Sequence, residues 1–291
     1  MEINSLKPGP RLLVAAGVHG DEFEPIRAVQ ILGERFESGS KLLCGTLTLI
    51  PCVNDAAFQL GQRCADDGMD LARTCPGRSD GSVTERLAAA LSEQIQKADY
   101  FIDLHTGGNA YELFPLAGYM LHNDLEILRK QRMMASAMNL PLVWGTSSRL
   151  EGRSLSVARD ARIPAIYCEY GGGSGVCLRA VESYVSGVQH VMSYLDMIDF
   201  PALNSAVRWA VEDDRPESGH LQVSHPSPAN GFFMAAVKPG HFVHQGDLLG
   251  TVTTLQGQHM QTVSPCDGLV VMLRAFPKVS EGDALGLVLP V

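Results

Sequence analysis

The apolar run Arg11–Ala16 stops at Gly17-Val18-His19-Gly20-Asp21-Glu22 and leads into a helical pattern from about Pro25. This strand, turn and helix order constrains the fold more than any other stretch. A strand that feeds a helix through a short Gly-flanked turn presents the turn residues at its carboxyl edge, where open α/β sheets keep their ligands. The pattern then recurs. Tyr100–Leu104 stops at His105-Thr106-Gly107-Gly108, and Ala165–Cys168 stops at Glu169-Tyr170-Gly171-Gly172-Gly173. Between such runs lie helical stripes: Ile26, Val29, Leu32 and Phe36, then Val83, Leu87, Leu91 and Ile95 behind a Ser82-x-x-Glu85 capping box. Further helices are expected over Asp124–Met138 and Arg179–Ile198, and a strand within Leu42–Val53. Alternating strands and helices predict a mainly parallel sheet with helices on both faces up to about residue 200. The irregular stretch Gly61–Gly81 is long for a loop inside a compact domain, and such loops are often functional.

Beyond residue 205 the texture changes. Glu212–Pro228 is polar and Pro-bearing, the composition of a linker. Short strand-like pieces separated by Gly turns follow, which predicts a small all-β barrel or sandwich. The expected organisation is therefore a catalytic unit over residues 1–205 and a linker with a small β domain over 206–291. The Val-x-x-Gly-x-x-Val-x-x-Gly-Asp pattern from Val237 to Asp247 resembles the biotinyl/lipoyl carrier fold, but the carrier's Met-Lys-Met hairpin is missing. A structural role is expected of it, not that of a swinging arm.

Composition excludes several classes. The net charge of −9 disfavours nucleic acid, which needs a basic face. No apolar run reaches the roughly 18 residues of a membrane span. Seven scattered Cys with no Cys-x-x-Cys argue against a disulfide framework or a zinc ribbon. Met1–Pro10 has no basic-then-apolar secretory pattern. Reduced thiols and a cytoplasmic location are the expectation; homo-oligomerisation is left open.

Three strand ends carry residues suited to one job. His19, Glu22 and His105 make a two-His, one-carboxylate set, the ligand number and type of a catalytic zinc site with a fourth position for water. Glu169 is then the second carboxylate, which takes the proton of water and passes it to a leaving nitrogen. Asp103 is expected beside His105, where a carboxylate can orient a ligating imidazole.

The chain resembles the succinylglutamate desuccinylase/aspartoacylase family, relatives of the zinc carboxypeptidases. The resemblance rests on Gly17-Val18-His19-Gly20-Asp21-Glu22, Met69-Asp70-Leu71-Ala72-Arg73, Asp103-Leu104-His105-Thr106-Gly107 and Glu169-Tyr170-Gly171-Gly172-Gly173. It implies a carboxypeptidase-like α/β fold with a small C-terminal β domain. It also implies one Zn2+ per chain on His19, Glu22 and His105, with Glu169 as general base. The family's Asp-Leu-Asn-Arg pattern grips the substrate's carboxylate through its Asn and Arg, so the resemblance assigns Arg73 to that carboxylate. It assigns Arg63, upstream, to the tetrahedral oxyanion. Here Ala72 stands where the family has Asn, and one anchoring donor is lost. Arg153 is a candidate second anion contact, against the commoner outcome of an exposed Arg. Asn54 occupies the position of a family loop Asn, with a turn role as the alternative.

Together these features predict a zinc-dependent deacylase acting on a small N-acyl amino acid or related amine. A carboxypeptidase or esterase is the nearest alternative, and a catalytically silent metal-binding protein the more distant one.

Overall fold

The computed structural model describes residues 1–202, 204–221 and 224–291. The chain runs β1 (Glu2–Asn4), β2 (Arg11–Ala16), α1 (Phe23–Glu37), β3 (Thr46–Ile50), α2 (Asp55–Leu60), α3 (Val83–Lys97) and β4 (Tyr100–His105). It continues through β5 (Tyr111–Met120), α4 (Leu125–Ala137), β6 (Leu142–Thr146), α5 (Ser154–Asp160), β7 (Ala165–Gly172), α6 (Leu178–Tyr194) and β8 (Trp209–Glu212). Seven further strands follow among the described residues: β9 (Gly231–Ala235), β10 (Phe242–Val243), β11 (Leu248–Thr253), β12 (His259–Val263), β13 (Gly268–Arg274), β14 (Lys278–Val279) and β15 (Gly286–Leu289).

The spine of the large sheet is β1-β3-β2-β4-β7-β5. Strands β3, β2, β4 and β7 are parallel neighbours, as are β5 with β6 and β6 with β8. Both faces are covered, which is why β2 and β4 read as continuous apolar runs rather than alternating ones. Leu12, Val14 and Ile102 join one core with α1, α4 and α6. Leu13, Ala15 and Phe101 join another with α3 and α5.

The mixed, mainly parallel sheet is as expected, and within it β5 is a strand that the sequence pattern does not show. This strand runs antiparallel to β7, and its sequence hides it: Pro115 cannot donate to a ladder, and Gly118 weakens the β signal. The register between β5 and β7 shifts across Pro115, between Leu113 and Leu116. At β5 the sheet forks. Its second half pairs with β6, while its first half, Tyr111–Leu113, pairs with β13 of the C-terminal region. The C-terminal strands also make a separate antiparallel sheet in the order β12-β11-β9-β14. Of the stretch read as a linker, Gln222 and Val223 lie outside the described residues; its first residue, Glu212, closes β8. No helix among the described residues is long and apolar enough to cross a membrane.

Candidate active site and metal centre

The turn after β2 is shaped by two glycines. Gly17 has φ +65, the left-handed region that side chains disfavour. Gly20 packs so closely on α2 that a Cβ would lie 2.0 Å from the Ala57 carbonyl carbon. The turn is thereby pressed into the protein, and His19 and Glu22 are buried at 3% and 1% exposure. His105 ends β4, the strand beside β2, and is 8% exposed.

Ligand-capable atoms of His19, Glu22 and His105 all lie within 4.8 Å of one another. The Glu22 carboxylate sits between the imidazoles, with Oε1 2.6 Å from His19 Nδ1 and Oε2 2.9 Å from His105 Nδ1. The other nitrogen of each ring faces its own carboxylate. His19 Nε2 is 3.1 Å from Asp70 Oδ1, and His105 Nε2 is 3.1 Å from Asp103 Oδ2. Such pairing fixes ring orientation and raises ligand basicity, the usual support of metal-binding His. Burial alone would raise the Glu22 carboxyl pKa, but the two imidazoles outweigh it and hold the group well below the usual range. An ionised carboxylate with two oriented imidazoles fits a divalent cation.

Glu169 lies on β7, directly opposite His105 in the parallel register. Its Oε2 is buried with no hydrogen-bond partner among the described residues. Burial, with the Glu22 and Asp103 charges, pushes its pKa up to about 8, while His105 and Arg63 pull the other way. Arg63 donates to Asp70 Oδ2 from Nε at 3.2 Å and from Nη2 at 2.9 Å. Its Nη1 reaches to 3.9 Å from Glu22 Oε1, so the guanidinium borders the ligand set.

Residues 8–195 match the model of the succinylglutamate desuccinylase/aspartoacylase catalytic domain. The chain belongs to the succinylglutamate desuccinylase/aspartoacylase family. Members of this family are hydrolytic deacylases. The chain is 26% identical to the N-alpha-acetyl-L-2,4-diaminobutyric acid deacetylase of Halomonas elongata over 292 residues, 97% of this chain and 83% of that protein. It is 26% identical to the succinylglutamate desuccinylase of Burkholderia orbicola over 293 residues, 95% and 80% of the two. In fold it is similar to the product-bound ectoine utilization protein of Ruegeria pomeroyi, with a TM-score of 0.87 and 24% identity, covering all of this chain and 88% of that one.

In this family member the site opens into a cavity lined by His19, Glu22, Arg63, Arg73, His105, Arg153 and Glu169. Arg73 lies at the exposed rim, its Nη1 donating to the Ala72 carbonyl at 2.7 Å. Arg153 is half-buried. Its Nε and Nη2 are buried without hydrogen-bond partners among the described residues, and Nη1 makes one long contact, 3.4 Å, to Gly219 O. Burial and the nearby Arg73 charge lower its pKa to about 10. Asn54 is elsewhere. It is fully buried, caps α2 by accepting from Ala57 N at 3.1 Å, and does not line the cavity. Its sequence position signals the turn, not the ligand.

Three supporting residues escaped the sequence reading. Asp70 sits in the quoted Met69–Arg73 motif, but its pairing with His19 crosses 51 residues. Ser154 donates to Asp103 Oδ2, the same oxygen that meets His105. Tyr184 of α6 donates to the His105 carbonyl at 2.5 Å. The C-terminal region also contributes to the cavity through Gly219, Leu221 and Met272.

Proposed function

We propose that this chain is a zinc-dependent deacylase that hydrolyses the amide bond of a small N-acyl amino acid or related N-acylated amine. The observation that carries the reading is the convergence of the His19, Glu22 and His105 ligand atoms beside Glu169, whose Oε2 is buried and without a partner among the described residues. Bound Zn2+ supplies Lewis acidity, lowering the pKa of water and polarising a carbonyl. Glu169, ionised, takes a proton from the attacking water and returns it to the departing nitrogen. Arg63, oriented by its two bonds to Asp70, donates to the oxyanion that develops on the carbonyl oxygen. Arg73 and Arg153 bind the substrate's carboxylate, a role supported by the absence of any carboxylate bonded to the Arg153 guanidinium among the described residues.

The Halomonas and Burkholderia relatives are named for removing acetyl and succinyl groups respectively, which supports a short acyl group on an amino-acid nitrogen. In this reading residues 1–205 are the catalytic unit. Residues 206–291 wall the cavity through Gly219, Leu221 and Met272 and favour small substrates over peptides. A screen of metal-analysed protein against acetyl, succinyl and longer N-acyl amino acids, with peptide ladders beside them, tests the proposal. Hydrolysis confined to the N-acyl compounds is expected. Release of C-terminal residues from peptides, with the N-acyl compounds untouched, would overturn it.

A further inference from the structure

Tyr167 takes no part in the steps above, yet its hydroxyl is buried in the wall of the same cavity. It precedes Glu169 by two residues on β7, so the two side chains leave the same face of the strand, roughly 6.6 Å apart along it. The register is regular here, with Gly118, Ala117 and Leu116 of β5 opposite Tyr167, Cys168 and Glu169 in turn. Gly118 makes the seat for the ring: a Cβ there would fall 2.2 Å from Tyr167 Cζ. Thr146 adjoins the phenol; its hydroxyl donates to Tyr119 O at 3.2 Å, so it has an acceptor but no donor to offer Tyr167. Tyr167 Oη has no partner of good geometry among the described residues. A buried phenol left in this way is destabilising unless a ligand completes it.

Arg153 presents the complementary problem. Its buried Nε and Nη2 donors are also open, and Tyr167 is among the groups that act on its charge. An acceptor that can serve a phenol hydrogen and a guanidinium fork together is a two-oxygen anion. Ala72, meanwhile, lines the cavity with a methyl group that donates nothing.

We propose that the Tyr167 hydroxyl is a specificity-determining donor which, with Arg153, binds one carboxylate of the substrate and supplies the hydrogen bond that Ala72 cannot. This rests on the deacylase reading, in which the bound group is the carboxylate of an N-acyl amino acid. Its position one strand-repeat from Glu169 ties acid recognition to the reacting carbonyl through a single rigid strand.

The test is a calorimetric titration of zinc-loaded Glu169→Gln protein, which holds the ligand without turning it over. The probes are N-acetyl-glutamate, N-acetyl-2,4-diaminobutyrate and N-acetyl-leucine, each beside its α-carboxamide, before and after Tyr167→Phe. For at least one probe the acid is expected to bind about tenfold or more tightly than the carboxamide, and Tyr167→Phe to erase about tenfold of that preference. Zinc content should be unchanged and the melting temperature not lowered, because phenylalanine keeps the ring on Gly118. Gly118→Ala, which displaces the ring, should move the preference the same way. A preference that is absent from the start, or that survives Tyr167→Phe intact, overturns the assignment. Failure of the deacylase reading is seen separately, as no hydrolysis by the parent protein across the acyl panel.

Discussion

Each imidazole of the candidate metal centre has one nitrogen turned to the ligand cluster and the other tied to a carboxylate, so Asp70 and Asp103 set the quality of the site. Replacing Asp70 with Asn should weaken metal affinity about 10–100-fold, as measured by chelator competition, with the fold retained. Ser154→Ala should act in the same direction through Asp103, since the hydroxyl holds the oxygen that orients His105. Affinity equal to the parent's in both variants would refute the role. Glu169 works as a base only when ionised, and burial raises its pKa from 4.5 to about 8. A dication on the neighbouring ligands opposes that rise. Accordingly kcat/KM should increase with pH along a limb whose midpoint lies between 4.5 and about 8. Glu169→Gln should remove the limb together with the activity; a pH-independent parent between those limits would contradict the assignment. His19, Glu22, His105 and Glu169 stand out in the sequence as candidates because each lies at or shortly after the end of an apolar run. Asp70, Ser154 and Tyr184 were not, because their partners are far away in sequence and no local pattern encodes a long-range hydrogen bond.

Among elements, α3 shows how local chemistry fixes a boundary. The expected capping box is present, with Ser82 N donating to Glu85 Oε2 at 2.8 Å and Glu85 N to Ser82 Oγ at 3.4 Å. Asp67 adds a tie from the long loop, accepting from Thr84 N at 2.9 Å, Ser82 Oγ at 2.7 Å and Thr84 Oγ1 at 2.8 Å. Though partly offset by burial, these bonds hold the Asp67 carboxyl down at about 2 against an ordinary 3.8. A depressed folded pKa stabilises fully above 3.8 and loses that contribution as pH falls toward 2. Asp67→Asn should therefore flatten the acid limb of a melting-temperature profile in that window, whereas an unchanged profile would show the tie to be idle. Ser82→Ala should cost about 1 kcal/mol in denaturant unfolding. Capping boxes and helical stripes are read from residues three or four apart, so α1, α3, α4 and α6 were visible in the sequence. Strand β5 was not, because Pro115 and Gly118 serve a register shift and a close ring contact that only the neighbouring strands reveal.

Across the whole molecule, the C-terminal strands are welded to the catalytic sheet. Leu269, Val271 and Leu289 pack with Leu116, Leu142 and Trp144, and Met272 packs with Tyr111 and Leu113. The small β region was legible from its Gly spacing, but its attachment was not, since strand pairing across more than 150 residues leaves no local signature. A chain cut after residue 205 would expose Leu116, Leu142 and Trp144, and is expected to aggregate or to lose a cooperative melt by calorimetry. A soluble, cooperatively folded 1–205 fragment would contradict this. If Glu169 acts as base beside a metal held by His19, Glu22 and His105, a paired measurement decides it: zinc stoichiometry and turnover of Glu169→Gln beside the parent, on whichever N-acyl amino acid the parent hydrolyses. One zinc per chain is expected in both, with kcat lower by at least about 100-fold in the variant; parental turnover in Glu169→Gln would refute the base assignment.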